Sequence, residues 1–197
     1  KILFLNIYQG IVFRGAENFV VEVSKRLSTN HQVEVSSAKG KIGEARARLQ
    51  TPYSFLGKVL YKFYFDSHSL RVLFWTLAVL PKILRGNYDW VIPVDGGWQI
   101  LFLKALQKIG HYKILISGQA GIGRDDLRNL KLKPDVFVAL TGRAEEWARE
   151  VIEKDRNKVK VMHLPNGVDL ERFNPKAKPI KIDLEKPIII CVAGLNP

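Results

Sequence analysis

Residues 14–17, Arg-Gly-Ala-Glu, follow the apolar run at residues 1–8 and stand where a helix would begin. A glycine at such a junction lets backbone N–H groups approach an anion, and a helix N-terminus favours negative charge. The simpler interpretation, which the motif alone favours, is that Gly15 makes a turn and Glu17 complements the helix dipole. The stretch matches neither a P-loop nor the dinucleotide-binding G-x-G-x-x-G sequence.

A second glycine-rich stretch, "SGQAGIGRDD", covers residues 117–126. Its glycines, Gly118, Gly121 and Gly123, follow the spacing G-x-x-G-x-G, which reverses the dinucleotide fingerprint. The stretch is either a loop over a cleft or a plain glycine turn. The pair Asp125 and Asp126 offers carboxylates to a metal ion or a sugar hydroxyl, although such a pair is more often the solvated start of a helix.

Two further polar residues stand at the ends of apolar runs. Asp95 directly follows "WVIPV" and is interpreted equally well as a site residue or as part of a turn with a helix cap. Thr141 precedes a helical pattern, and we expect it to cap that helix.

Metal and hydrolase sites find little support in the sequence. Four histidines show no metal-ligand spacing and there is one cysteine, so we predict no metal site; these residues are His31, His68, His111, His163 and Cys191. No Ser-His-Asp arrangement or nucleophile elbow is present, which argues against a hydrolase of that type.

The apolar pattern predicts the elements that position these residues. Strands are expected within residues 1–8, 32–37, 88–94, 112–117, 134–141 and 158–164. Helices are expected at 16–27, 55–86, 97–109 and 144–154, with Pro81 kinking or ending part of the second and Gly86 closing it. Residues 39–54 are predicted to form a loop. Apolar strands that alternate with helices predict a doubly wound, Rossmann-like parallel sheet, with its ligand-binding loops at one edge.

Length and composition fit this architecture. A chain of 197 residues that is 47% hydrophobic can bury one sizeable core, and its 25% of charged residues is typical of a globular protein. The opening residues "KILFLNIY" lack the h-region and cleavage site of a secretory signal. The longest apolar run, residues 72–84, is too short to span a bilayer and contains Pro81 and Lys82. A single cysteine fits a reducing compartment, so we expect a cytoplasmic protein.

The net charge of +12 favours phosphate-bearing or anionic-membrane partners. Residues 39–88 hold nine Lys or Arg and two acidic residues. If residues 55–65 are helical, Phe55, Lys58, Lys62 and Phe65 share one face, a composition typical of an interfacial helix. We name these four residues the basic-aromatic patch and predict that it binds the inner face of the cell membrane. The alternative is a solvated basic face with Phe55 and Phe65 in the core.

The stretch "LPNGVDLERFNP", residues 164–175, closely resembles the inter-domain signature of retaining, nucleotide-sugar-dependent glycosyltransferases of group 1, which have the two-domain GT-B fold. Other stretches agree in order: "KILFLNIY" with "RGAENFVVEVSKRL" resembles the family's first strand and helix start, and "PDVFVALTGRAEEWARE" a later strand and helix. "PIIICVAGLNP" looks like the first strand and loop of the second domain. Residues 37–88 match nothing specific, as the family's variable acceptor region does.

The resemblance implies a division of the chain. Residues 1–175 would be the acceptor-binding domain, residues 176–186 an inter-domain linker, and residues 187–197 the first strand of a donor domain. That second domain would carry the family's paired glutamates and most contacts to the donor. The resemblance therefore implies a hexosyltransferase-type enzyme that uses a nucleotide-diphosphate sugar as substrate, no further cofactor and no metal, and acts on a lipid-linked or other glycan acceptor. Residues 1–197 alone would be inactive.

The resemblance also implies site residues. Gly15 would approach the donor phosphate or the acceptor. Gln119 would be the catalytic residue and, with Gly118 beside it, would orient the sugar. Gln119 stands where many members have a histidine, and Arg14 stands where most have a first glycine. The hinge and the cleft floor would be shaped by Asn166, Gly167 and Asp169, and further contacts would come from Asp95 and Arg143.

Two other functions stay open. The charge of +12 also suits a nucleic-acid-binding module, but no aromatic stacking platform or known RNA or DNA motif accompanies it, so no nucleic acid is expected. A dinucleotide-dependent epimerase or dehydrogenase would fit the fold, and the reversed glycine spacing argues against it.

Overall fold

The structure is a computed structural model that describes residues 1–12, 14–38, 65–171, 173–176 and 178. Six strands alternate with five helices in the described ranges. The strands are β1 Ile2–Leu5, β2 Val33–Ser36, β3 Trp90–Pro93, β4 Lys113–Ser117, β5 Val136–Ala139 and β6 Lys160–His163. The helices are α1 Gly15–Leu27, α2 Ser67–Arg85, α3 Trp98–Gly110, α4 Arg124–Lys131 and α5 Gly142–Lys154.

All six strands form one parallel sheet in the order β2-β1-β3-β4-β5-β6. This confirms the predicted doubly wound, Rossmann-like α/β fold. The chain runs from β1 outward to β2 and then returns to place β3 on the other side of β1. The direction of winding therefore reverses between β1 and β3, and this switch point is where ligands bind in such sheets.

The core lies on both faces of the sheet because side chains alternate along each strand. Leu3 and Leu5 pack in the larger cluster, to which helices α2 to α5 contribute. Phe4, between them, packs on the opposite face with Val20 of α1. All three strand residues are fully buried. Helix α1 therefore covers one face, and the other four helices cover the opposite face.

Helix α2 runs through Pro81 to Arg85, so the proline does not end it. The predicted end of the helix at Gly86 is confirmed, but the reason for glycine there is steric and not a left-handed backbone. Gly86 itself has right-handed backbone angles, whereas a β-carbon there would overlap the buried ring of Tyr88. The predicted cap of α5 is also confirmed, since Thr141 accepts a hydrogen bond of 3.2 Å from the Ala144 N–H group.

The first compact unit covers Lys1–Pro165, and a second unit begins at Asn166. In the second unit, Asp169 accepts hydrogen bonds from the Phe173 N–H group through its backbone and from the Glu171 N–H group through its side chain. The predicted loop at 39–54 and strand at 187–197 lie outside the described residues, as does most of the linker at 176–186. No helix in the described ranges is both long and apolar enough to cross a membrane.

Candidate functional site

The carboxyl ends of β1 and β3 meet at the switch point, and Asp95 joins them. Asp95 follows β3, and its Oδ2 accepts hydrogen bonds from the Ile7 N–H group at 2.9 Å and from Gln99 Nε2 at 3.0 Å. Burial raises the pKa of Asp95 to about 6. Helix α3 is capped at Gly97 without a side-chain hydrogen bond, so Asp95 is not its N-cap. Asp95 therefore connects the backbone that follows β1 to the start of α3.

Arg14 and Glu17 form an ion pair at the start of α1. Arg14 Nη2 lies 2.7 Å from Glu17 Oε1, and Glu17 is only 2% exposed. The hydrogen bond to Glu17 raises the pKa of Arg14, which partial burial opposes. The guanidinium also lies 5.1 Å from the centre of the Tyr8 ring, within the range of a cation–π contact. Gly15 begins the helix, and a side chain there would meet open space.

Tyr8 and His68 were not expected at this site. The Tyr8 hydroxyl lies 3.0 Å from His68 Nδ1, and the two rings are stacked with nearly parallel planes, their centres 5.6 Å apart. Burial raises the pKa of Tyr8, and a hydrogen bond from Arg71 opposes this shift. His68 and Arg71 belong to the first turns of α2, which were not part of any sequence motif. Only their position next to the switch point identifies them as candidate site residues.

The turn after β1 is held by Asn6. Its side-chain oxygen accepts from the Tyr8 N–H group at 3.1 Å, and its amide nitrogen donates to Gln9 Oε1 at 3.1 Å. Asn6 is fully buried. Asparagine in such a turn commonly bonds the backbone two residues on, so the sequence itself carries a signal for this turn.

Gly118 and Gln119 follow β4, which lies beside β3. A β-carbon on Gly118 would lie 2.7 Å from Phe137 Cζ and 3.1 Å from Asp126 Oδ2, so glycine is required here by close packing. The Gln119 side chain donates to Ser117 Oγ at 2.9 Å. This bond ties Gln119 back to its own strand.

Asp125 and Asp126 differ sharply in environment. Asp125 is exposed and pairs with Arg124, as a solvated helix start would. Asp126 is only 2% exposed and accepts from Asn129 Nδ2 at 3.2 Å, and burial raises its pKa to about 6. The expectation of a solvated pair is therefore wrong for Asp126. Its carboxylate holds the glycine-rich loop against α4.

The remaining predicted residues belong to α5, to the second unit or to the basic-aromatic patch. Arg143 is exposed at the start of α5, after β5, and β4 separates β5 from β3 in the sheet. Asn166, Gly167 and Asp169 belong to the second unit. Of the basic-aromatic patch, Phe55, Lys58 and Lys62 lie outside the described residues. Phe65 is described: it is 46% exposed and contacts Trp98, with ring centres 5.7 Å apart, so it is not a core residue.

A groove of about 560 Å³ lies at the opposite, amino-terminal edge of the sheet. It is lined by Lys1, Ile2, His31, Asp89, Trp90, His111 and Lys113. In doubly wound sheets ligands bind at the carboxyl edge, so the switch point is the better candidate. No group of three or more His, Cys, Asp or Glu side chains within the described ranges could hold a metal ion.

The chain matches no protein-family model and no curated protein sequence. The candidate site therefore rests on the fold and on the side chains that meet at the switch point.

Proposed function

We propose that this chain is the acceptor-binding half of a glycosyltransferase that moves a sugar from a nucleotide-diphosphate sugar to a lipid-linked or other glycan acceptor. The observation that carries the proposal is the meeting of polar and aromatic side chains at the switch point; they are Tyr8, Arg14, Glu17, His68, Arg71 and Asp95. The resemblance of residues 164–175 to the inter-domain signature of group 1 glycosyltransferases supports the same assignment.

The balance of charge at the switch point supports a polyhydroxylated ligand. Two guanidinium groups, Arg14 and Arg71, stand among two carboxyl groups, Glu17 and Asp95. Arg14 is neutralised by Glu17 at 2.7 Å. A phosphate site would need an excess of positive charge, whereas sugar hydroxyls both donate and accept hydrogen bonds. The aromatic ring of Tyr8 adds an apolar surface of the kind that packs against a sugar ring.

The reaction would displace a diphosphate from the anomeric carbon of the donor. The acceptor hydroxyl oxygen forms the new bond to that carbon, and the bond to the diphosphate oxygen breaks. The nucleoside diphosphate leaves with the electron pair and takes up the proton that the hydroxyl loses. In this scheme Gln119 and Gly118 lie beside the transferred sugar, and the switch-point residues hold the acceptor. Positioning of this kind accounts for a large share of enzymatic rate enhancement. Basic groups and helix N-termini would stabilise the leaving group, without a metal ion.

The surface of α2 supports a lipid-linked acceptor and a peripheral position at an anionic membrane. Phe74 is 66% exposed and Leu77 is 40% exposed on this helix. Arg85 is exposed further along it, and so is Lys82, which pairs with Glu34. Exposed apolar side chains beside cations are the composition of an interfacial surface. This surface adds to the basic-aromatic patch predicted from the sequence.

The test is binding measured on backbone amides by nuclear magnetic resonance. The probes are uridine diphosphate glucose, guanosine diphosphate mannose, and the methyl glycosides of glucose and mannose. We expect at least one glycoside to shift the amides of Ile7, Tyr8 and Asp95. Asp95→Asn should weaken that binding, whereas Asp89→Asn, which alters an exposed carboxylate at the opposite edge of the sheet, should leave it unchanged.

Besides a lack of glycoside binding, three results would contradict the proposal. Amide shifts confined to residues outside the switch point would show that the glycoside does not bind there. Saturable binding of a nicotinamide dinucleotide there would favour an epimerase or dehydrogenase. Tight RNA binding that weakens steeply with salt would favour a nucleic-acid-binding module.

A further inference from the structure

His68 is linked to Tyr8 and Arg71 in a short chain of hydrogen bonds. Arg71 donates to the Tyr8 hydroxyl oxygen, because arginine has no acceptor. The Tyr8 hydroxyl has one hydrogen of its own, and its neighbour at 3.0 Å is His68 Nδ1. Tyr8 and Nδ1 both use their hydrogen-bonding capacity if the hydroxyl accepts from Arg71 and donates to Nδ1. In that arrangement His68 carries its proton on Nε2.

The charge state of His68 agrees with this arrangement. Although part of the ring is open to solvent, burial of the rest lowers the pKa of His68. Asp66 and Asp125 oppose this shift, and the nearby guanidinium groups of Arg14 and Arg71 add to it. A neutral imidazole has one donor and one acceptor nitrogen, so Tyr8 determines which of the two is the donor.

Two atoms of the site are left for a ligand. Within the described part of the chain, His68 Nε2 has no hydrogen-bond partner. Asp95 Oδ1 likewise has no partner among the described residues, because the Ile7 N–H group and Gln99 Nε2 both donate to Oδ2. One atom is a donor and the other an acceptor, and a sugar hydroxyl can satisfy either.

We propose that His68 is a sugar-binding residue of the switch point, held by Tyr8 as the Nε2–H tautomer so that it donates a hydrogen bond to a hydroxyl of the acceptor. The inference rests on the proposed function. It assigns the donor position to α2 and the complementary acceptor position to Asp95, so that a donor and an acceptor on neighbouring elements would recognise two hydroxyls of one sugar ring.

The tautomer can be tested without any ligand. Two-bond nitrogen–proton correlation spectra distinguish a histidine protonated on Nδ1 from one protonated on Nε2. We expect His68 to show the Nε2–H pattern at pH 7.5, with the exposed His31 and His111 as references in the same spectrum. Tyr8→Phe keeps the stacked ring and removes the hydroxyl, so His68 should lose its single tautomer in that variant. A Nδ1–H pattern in the unmodified protein would overturn the proposal, whatever the protein binds.

Binding supplies the second test. Methyl α-glucoside and methyl α-mannoside are titrated into the unmodified protein, His68→Phe and His68→Gln. Phenylalanine keeps the stacking on Tyr8 but has no donor, whereas the glutamine amide restores an N–H group. We expect His68→Phe to weaken binding about three- to tenfold, the effect of one hydrogen bond between neutral groups, and His68→Gln to recover most of it.

The outcomes separate this inference from the proposed function. Glycoside binding at the switch point that is equally strong in His68→Phe would overturn the role of His68 and leave the proposed function standing. Absence of glycoside binding in the unmodified protein would overturn both. Loss of binding in His68→Phe with recovery in His68→Gln supports both.

Discussion

At the scale of single residues, two carboxyl groups stand out because their pKa values are raised to about 6. Asp95 and Asp126 each have a pKa raised to about 6, and burial is the main cause for both. Asp95 joins β1 to β3, and Asp126 holds the loop after β4. Both carboxyl groups therefore fix the loops that line the candidate site, and both change charge close to neutral pH.

The raised pKa of Asp126 predicts a pH dependence of stability. The folded pKa of about 6 lies above the unfolded value of about 3.9, so the folded state holds an extra proton between these values. The free energy of unfolding should therefore rise as the pH falls from 7.5 to 5.0, by on the order of 1 kcal/mol for this group. Asp126→Asn should show a smaller rise in urea unfolding, and Asp125→Asn, at an exposed neighbour, should keep it.

Asp95 and His68 also affect how the free energy of unfolding depends on pH. The effect of Asp95 has the same sign as that of Asp126, and the effect of His68 has the opposite sign. His68 has a lowered pKa in the folded state, so its contribution to the free energy of unfolding decreases as the pH falls. Both groups are unchanged in the two variants, so their contributions cancel in the comparison. Equal pH dependence of Asp126→Asn and the unmodified protein would show that Asp126 is not the buried proton acceptor.

Gly118 gives a second prediction at this scale. Its missing β-carbon leaves room for Phe137, at 2.7 Å, and for Asp126. Phe137 is buried, so it cannot easily move aside. Gly118→Ala should lower the free energy of unfolding by about 1–3 kcal/mol. Gly142→Ala is the matched control, because a side chain there meets open space and alanine favours the helix; it should be neutral or stabilising. Equal effects in thermal unfolding would contradict the packing argument.

At the scale of elements, the five helices of the described ranges begin in two ways. Helices α2 and α5 have side-chain caps, Asp66 and Thr141. Helices α1, α3 and α4, which follow β1, β3 and β4, begin without a side-chain cap bond. The capped start of α2 is the one that positions His68 and Arg71. The cap of α2 is thus a structural support for the candidate site.

The cap predicts that Asp66→Ala destabilises the protein by about 1–2 kcal/mol. Asp66 accepts from the N–H groups of His68 and Ser69, at 3.0 and 3.1 Å, and is only 8% exposed. Asp66→Asn, which keeps an acceptor oxygen, should cost much less. The measurement is urea unfolding, together with the His68 tautomer, which should be lost in Asp66→Ala if the cap holds α2 in place. An alanine variant as stable as the asparagine variant would refute the capping role.

At the scale of the whole molecule, positive charge and exposed apolar groups occur together. The net charge is +12, and α2 exposes Phe74 and Leu77. Helix α1 lies on the opposite face of the sheet, where Val21 is 45% exposed. The two faces therefore offer a matched comparison for membrane binding.

We expect the protein to sediment with anionic vesicles at low salt and to stay in solution with neutral ones. Each basic side chain near an anionic surface contributes about 1 kcal/mol, so Lys58→Glu combined with Lys62→Glu should abolish binding. Phe74→Ser combined with Leu77→Ser should weaken it, and Val21→Ser should not. Circular dichroism checks that each variant is folded. Failure of the unmodified protein to sediment at low salt would favour an acceptor without a lipid.

The sequence by itself determined the fold class and most of the elements, but not the helix α4 at Arg124–Lys131. Apolar periodicity and turn residues are local signals, so the six strands, the cap at Thr141 and the parallel sheet were all predictable. Parallel strands also bring their following loops to one edge, which placed Arg14, Asp95 and Gln119 on the same side of the sheet. The roles assigned to residues of the second unit and of the basic-aromatic patch stay predictions.

Only the tertiary structure decided which of those residues meet. The insertion of β3 beside β1 brings Asp95 to the Ile7 N–H group across 88 positions of sequence, and the packing of α2 brings His68 to Tyr8 across 60 positions. Neither contact leaves a local periodicity or spacing, because each depends on strand order and helix packing. Burial of Asp126 likewise depends on α4 closing over the glycine-rich loop, which is why a carboxylate expected in solvent is almost fully enclosed.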